Sequence, residues 1–520
     1  RINPILANYI PMEEHYTKLA QAKSIKVSLT PMDGYHLSFS KVRTMLYILS
    51  LLGFVLLISA AFNYALISIS SLAHRAKAIG VHKCSGAENG SIFAMFFWET
   101  SFVVFISVVI SVFLILNLNE QIEEVMEVST KSLFSWNNLW APLLAIVILF
   151  VIGCILPGRL FSSIPVTQVF RRYTEGKKRW KYPLLCMQFG GTAFLLGIVA
   201  MVSVQYHYVM HKDMGYDTKG LVYINHSFSN PQNALTNLRN LPFVEGAENA
   251  STQIMNPMQS LSVEDNNGNW KFTPRIHYAN EDFCKLIKLR LLAGKYHTRP
   301  GEIVVNPELV ELMDWTSDGI GEVIPNRGTV VGIVEFIEVN KTKTSPYWIH
   351  WPENEEETSC VHVRLKEPID ENLLRLNEEM KKLYPQEDIL FRPVEDSLHS
   401  YFRSARIFRN SSMIACMGIL VITLMGVIGY TNDEVRRRSK EIAIRKVNGA
   451  EVSHILRMLC KDVAIIALPA VLIGTLASKY IGELWVSNNF MDILAISPLL
   501  YIGVGMVAMI FILGTVIIKS

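Results

Sequence analysis

Seven stretches of this chain are long and apolar enough to be membrane helices: Leu46–Ile69, Ile92–Leu116, Leu139–Phe161, Leu184–Val209, Ile407–Tyr430, Ile455–Ile481 and Pro498–Ile518. Each has about 21 to 27 residues, and at about 1.5 Å of rise per residue that covers a hydrocarbon core of about 30 Å. Buried helices of water-soluble domains rarely sustain runs of this length without charge. The bulk composition, 50% apolar with a formal charge of +3 over 520 residues, conceals the sorting. That composition excludes a disordered chain, and seven unpatterned cysteines in so long a chain exclude a small disulfide scaffold. The near-neutral total also lacks the basic excess that a dedicated nucleic-acid binder needs for phosphate contacts.

Orientation follows from the positive charges of the short loops. Segment 73–91 carries Arg75, Lys77 and Lys83; segment 158–182 carries seven Lys and Arg, and segment 431–455 carries six. The intervening loops 117–138 and 482–497 hold one between them, Lys131. The three basic loops therefore face the cytoplasm, which places 1–40 and 210–404 outside. Residues 210–404 contain no spanning run, carry a net charge of −9 and alternate strand-like stretches (Leu221–Ile224, Thr329–Val334, Cys360–Leu365) with helical ones such as Glu371–Leu383. At this size the segment can bury its own core, and it reads as an α+β extracytoplasmic domain.

The chain repeats itself at an interval of 363 residues. Arg75-Ala-Lys-Ala-Ile-Gly-Val-His-Lys-Cys-Ser-Gly-Ala-Glu88 aligns without gaps on Arg438-Ser-Lys-Glu-Ile-Ala-Ile-Arg-Lys-Val-Asn-Gly-Ala-Glu451, with seven of fourteen positions identical. The match runs on to Glu99 opposite Asp462. Each copy follows one span and precedes two more, as in a tandem duplication of a unit made of a span, an outer domain and three spans. On that reading a further span and most of a first outer domain precede Arg1. The expected divisions are a remnant of that domain at 1–40, a three-helix permease unit with its cytoplasmic loops at 41–182, a transmembrane helix at 183–209, the outer domain at 210–404 and a second three-helix unit at 405–520.

Each repeated segment predicts a short basic amphipathic helix stopped by glycine. The first offers Arg75, Lys77, Ile79, Val81, His82 and Lys83 before Gly86-Ala87, with Lys77, Val81 and Cys84 near one face. The second offers Lys440, Glu441, Ile442, Ile444, Arg445 and Lys446 before Gly449-Ala450. A helix of this kind at the membrane boundary can lie on anionic headgroups or enter a groove on a cytoplasmic partner. Two copies in matching register favour a two-fold partner.

These segments resemble the loop of the FtsX-like permease family, whose usual form is close to E-I-G-I-R-K-x-x-G-A followed by an apolar helix with an early acid. Here the corresponding residues are Ala78 to Ala87 with Glu99, and Glu441 to Ala450 with Asp462. The outer segment resembles a MacB-type periplasmic core domain through Leu241-Pro-Phe-Val244, Leu291-Leu-Ala-Gly-Lys295, Val304-Val-Asn306 and Val330-Val-Gly-Ile-Val334. The two-half form is similar to ABC transporter permeases of Bacteroidetes-type bacteria. The resemblance implies a helical transmembrane bundle, seven spans here and eight in the full chain, with a MacB-type α+β domain. It further implies a noncatalytic subunit of the bacterial inner membrane whose loops dock a separate, dimeric cytoplasmic ATPase. That subunit moves or extracts a substrate, with a periplasmic adaptor or outer-membrane channel as a further partner. Ala78 stands where the family usually has Glu, and His82 where it usually has Arg, which implies weaker coupling through the first loop. The chain has no Gly-x-x-x-x-Gly-Lys-Ser/Thr and so no P-loop; ATP is expected on the partner, with no cofactor in this chain. The alternatives are a scaffold that relays ATPase motion to a periplasmic partner such as a wall hydrolase, and a sensor that uses the outer domain.

The remaining constellations predict little chemistry. His207 and His211 have the spacing of a zinc pair, with Asp213 nearby, but lack a third neutral ligand and read as a polar cluster at the interface; no metal or catalytic site is expected. Glu99 and Asp462 lie early in their spans, where the structural reading is a salt bridge to a basic loop helix and the functional one a transport role. Cys284 and Cys360 share the outer domain, one expected on a helix and the other on a strand, and are not expected to pair. Arg171–Lys181, followed by Tyr182, reads as a topology anchor.

Overall fold

A computed structural model describes residues 40–519 apart from 71, 128, 137, 163–180, 260–262, 265–269, 314, 316–318, 326, 337–344, 353–357 and 491. The remnant expected at 1–40 and nearly all of the anchor at 171–181 lie outside the described residues. The chain divides into two units. One comprises 208–403 with 490–493, and the other 37–207, 404–489 and 494–520.

Apolar composition dictates the second unit. Seven helices are long and apolar enough to span: Val42–Ser68, Asn89–Asn117, Trp140–Arg159, Tyr182–Met210, Arg403–Arg437, Val452–Asn489 and Pro498–Lys519. The fifth and sixth, at 35 and 38 residues, run well past the expected limits, to about 52 and 57 Å at 1.5 Å per residue. Charged residues occupy their ends, so hydropathy alone underestimates them. The fourth span is the most enclosed. With no hydrophobic drive between helices in lipid, close backbone approach holds such a bundle together. The sixth span presents a ladder of small residues, Ala470, Gly474, Ser478 and Gly482, toward the fourth span, where Gly190, Gly197 and Met201 receive it. A Cβ on Gly474 would overlap the Gly190 carbonyl. Leu185, Phe189, Val463, Val471, Ile512 and Val516 fill the surrounding core. Thr192 and Thr423 share a 2.7 Å hydrogen bond between the fourth and fifth spans, and Gln188 donates to the Ile422 carbonyl at 3.0 Å. On the outer side, Arg406 at the start of the fifth span pairs with Glu127 of the first outer loop, Nη2 to Oε1 2.5 Å.

The first unit is an α+β domain. One sheet has the order β13-β1-β12-β2, from β1 (Leu221–Asn225), β2 (Val244–Ala250), β12 (Cys360–Leu365) and β13 (Arg392–Pro393), all antiparallel. The other runs β3 (Met258–Gln259), β6 (Arg275–Tyr278), β11 (Tyr347–His350), β8 (Glu302–Val305), β10 (Gly328–Glu335) and β7 (Arg290–Gly294), with β9 (Val323–Ile324) on β10, while β4 (Val263–Glu264) and β5 (Trp270–Phe272) pair separately. The central strand β12 is buried along its whole length. Its alternation therefore serves two cores. Val361, Val363 and Leu365 pack with Leu235, Leu376 and Met380 of helices Pro231–Arg239 and Ile369–Leu383. On the opposite face, His362 meets Phe283 edge-on at 5.0 Å, and Phe283 belongs to the core of Cys284, Val334, Phe336 and Tyr347. Arg364 is buried yet satisfied, donating to the carbonyls of Leu286, Lys219 and Asp217 at 2.7 to 2.8 Å. Cys284 lies on a helix and Cys360 on a strand; both are buried free thiols.

Paired cytoplasmic loop helices as the candidate site

The repeated segments form two helices at equivalent places in the chain, Leu72–Cys84 after the first span and Ser439–Val447 after the fifth. Their ends are the same to the atom pair. Gly86 and Gly449 adopt φ +91° and +84°, a region open to glycine without strain. Gly86 donates to the Lys83 carbonyl at 3.1 Å and Ala87 to His82 at 3.0 Å. In the second copy Gly449 donates to Lys446 at 3.0 Å and Ala450 to Arg445 at 2.9 Å. This double bond is the Schellman stop, and every residue in it is displaced by the same 363 positions.

The two helices also divide inside from outside alike. Ile79 is fully buried, and its equivalent Ile442 packs against the membrane core. Two residues on, the equivalent Val81 and Ile444 are 59% and 62% exposed, and Val447 one turn further is exposed as well. The inward position thus belongs to Ile79, whereas Val81 and Cys84, expected near one face with Lys77, point out together. His82, Lys440, Arg445 and Lys446 are exposed around these knobs. The backbones of Arg75 and Lys77 lie within the first helix, and their side chains are outside the described residues. Lys83 donates to the Ser162 carbonyl at 2.7 Å.

Differences between the copies fall on charge. Glu441 and Arg445 form an ion pair one turn apart, 2.7 Å; the first copy has Ala78 and His82 at those places. Arg438 caps the start of the second helix and spans two carboxylates, Nε to Glu434 Oε1 at 2.6 Å and Nη2 to Asp462 Oδ2 at 2.5 Å. Arg437 also grips Glu434. Asp462 thus makes an ion pair with Arg438 at the start of the loop helix, while Glu99 is half-buried in the second span. Sequence reasoning passed over Glu434, although a carboxylate four residues before an arginine on a helix is a recognisable pair; its equivalent in the first half is Ser71. Of the polar cluster, Asp213 turns to Arg290, Oδ2 to Nη2 2.6 Å. Among the described residues no group of His, Cys, Asp and Glu is arranged to hold a metal.

The family described as FtsX-like permease C-terminal matches residues 50–166 and again 413–520. The two matches begin 363 residues apart, at the interval of the repeat. Both halves of the helical bundle thus carry an FtsX-like permease domain. The protein is a multi-pass membrane protein of permease type with an extracytoplasmic α+β domain. A comparison with curated proteins gave no match. Among solved structures, the periplasmic region of MacB from Actinobacillus actinomycetemcomitans is similar at 11% identity, covering 36% of this chain and 94% of that one, with a TM-score of 0.27. The extracellular domain of the noncanonic ABC-type transporter YknZ from Gram-positive bacteria is similar at 11% identity, covering 33% and 97%, with a TM-score of 0.24.

Proposed function

We propose that this permease is the noncatalytic subunit of an ABC assembly in the bacterial inner membrane. Its two cytoplasmic helices dock a separate ATPase dimer, which holds the ATP, and closure of that dimer moves the outer domain to export or extract a substrate. The observation that carries this reading is the pair of identically stopped helices, with an exposed branched side chain at the same place in each, Val81 and Ile444, beside exposed basic residues. Lipid contact alone gives no reason for two such helices to share register and cap. A groove on each subunit of a two-fold partner does. The Arg438 clamp ties the second helix to the ends of the fifth and sixth spans, so a push on the helix passes into both.

The test is an affinity pull-down from native membranes, followed by ATPase assays of the purified complex. Arg445→Glu reverses a rim charge and breaks the pair with Glu441. It is expected to leave membrane insertion intact and to lower stimulated ATPase activity about tenfold or more, the scale of a lost charge contact at an interface. His82→Glu in the first copy is expected to cost less, because no brace is lost there. Unchanged ATPase binding and stimulation in Arg445→Glu would refute the docking role. Recovery of an outer-membrane channel or adaptor supports export, and recovery of a wall hydrolase supports a relay.

A further inference from the structure

The outer halves of the sixth and seventh spans enclose a groove of about 480 Å³, within the size range of small-molecule sites. Leu468, Thr475, Tyr501, Gly505 and Met509 line it, and Lys479 stands at its outer mouth beside Pro498. Its floor is low because Gly505 has no side chain; a Cβ there would only touch Val471 and Thr475 at 3.7 and 3.8 Å. From Leu468 to Lys479 the helix rises about 16 Å at 1.5 Å per residue, close to half of a hydrocarbon core of about 30 Å. The groove therefore has the depth of one leaflet, the outer one, since the sixth span runs outward.

Charge at the mouth is ordered. Residues 463–478 contain no Asp, Glu, Lys or Arg, and Lys479 then Glu483 follow one helical turn apart, on one face. Both are exposed, and neither makes an ion pair or hydrogen bond among the described residues. A lysine bordering an apolar run reaches for the headgroup level. Moving outward from the acyl region, the protein presents an apolar trough, a cation and then an anion. A zwitterionic amine-bearing glycerophospholipid presents the complement in the same order: acyl chain, phosphate, ammonium.

We infer that this groove binds one outer-leaflet phosphatidylethanolamine, with an acyl chain along Thr475 and Gly505, its phosphate on Lys479 and its ammonium on Glu483. The site is independent of the ATPase-docking loops, which lie at the opposite membrane face.

The test uses the full chain in lipid nanodiscs doped with phosphatidylethanolamine or phosphatidylglycerol carrying a photoreactive group near the acyl terminus. The ethanolamine lipid is expected to label the peptides around 468–479 and 498–509 in preference to the rest of the bundle. Lys479→Ala lowers that labelling about fivefold, the worth of one lysine at a headgroup surface. Glu483→Gln removes the preference for ethanolamine over glycerol, and Gly505→Leu, which fills the trough, abolishes labelling. Equal labelling by the two lipids, or labelling unmoved by Lys479→Ala and Gly505→Leu, overturns the inference. So does a disulfide between two copies through Gly505→Cys, which would give the groove to a second chain.

Discussion

Replacing Arg438 with Met removes one guanidinium from between two carboxylates. Each contact is an attraction of about 4 kcal/mol at 4 Å in an effective dielectric of 20, before desolvation is subtracted. Breaking a fully buried pair costs about 3–5 kcal/mol, whereas an exposed pair is worth about 0–1. Arg438 and Asp462 are 23% and 32% exposed and Glu434 only 7%, so the clamp falls between these cases. Glu434 also keeps Arg437. A net loss of about 2–3 kcal/mol follows for the local structure that joins the fifth span, the loop helix and the sixth span. Hydrogen exchange reads such openings directly. At 1.36 kcal/mol per tenfold, protection of peptides covering Tyr430–Asp462 should fall about 30- to 150-fold in Arg438→Met. Arg438→Lys should recover part of the loss, because an ammonium keeps the charge but cannot hold two carboxylates in a fixed fork. Lys440→Met, on the exposed side of the same helix, should change protection by less than about threefold. If Arg438→Met behaves no differently from Lys440→Met, the clamp does not join these elements and the transmission route assigned to it is wrong.

Two further outcomes follow from packing and burial. Gly474→Leu puts a side chain where the sixth span meets the Gly190 carbonyl of the fourth; overpacking of this kind costs about 1–3 kcal/mol, readable as a lower midpoint in denaturant titration of the detergent-solubilised protein, with Gly514→Leu, whose surroundings are open, as the neutral control. In the outer domain, burial pushes His277 and His362 down to about 4 and about 3, and burial lowers His297 as well. Their folded-state values lie below the ordinary one near 6.5, so their stability contribution is complete above that pH and drains away as pH falls toward 4. With His277 and His362 each giving at most about 1.4 kcal/mol per pH unit in that window, the domain should lose about 2 kcal/mol between pH 6 and pH 5, measured as exchange protection of β12 and β6; a flat profile would show that the two rings bind protons as readily in the folded domain as in the unfolded chain.

The membrane architecture was legible because bilayer thickness turns hydropathy into length, and basic loops turn it into direction. The loop helices were legible down to their caps, since Gly86 and Gly449 mark a stop that few other residues can form. The Arg438 clamp was only half legible. Asp462 stood out as an acid inside an apolar helix, but its partner lies 24 residues away, and Glu434 passed as part of a charged helix end. The sheet order β13-β1-β12-β2 joins strands up to 171 residues apart in the chain, and no local period encodes such pairings. The lipid groove escaped for the opposite reason. It is made by what is missing, a side chain at Gly505, and absence of bulk leaves no periodic trace.

The repeat at 363 residues has a consequence for how such a machine can change. Two identical chains meeting across an axis receive every mutation twice, so neither side can be altered alone. Here the halves are written separately in one chain, and they have drifted apart at Ala78 against Glu441, His82 against Arg445 and Ser71 against Glu434. The drift removes braces from one side and leaves the cap on both. A fused pair can thus keep one stiff handle and one compliant one, a division of labour closed to a symmetric dimer of identical copies.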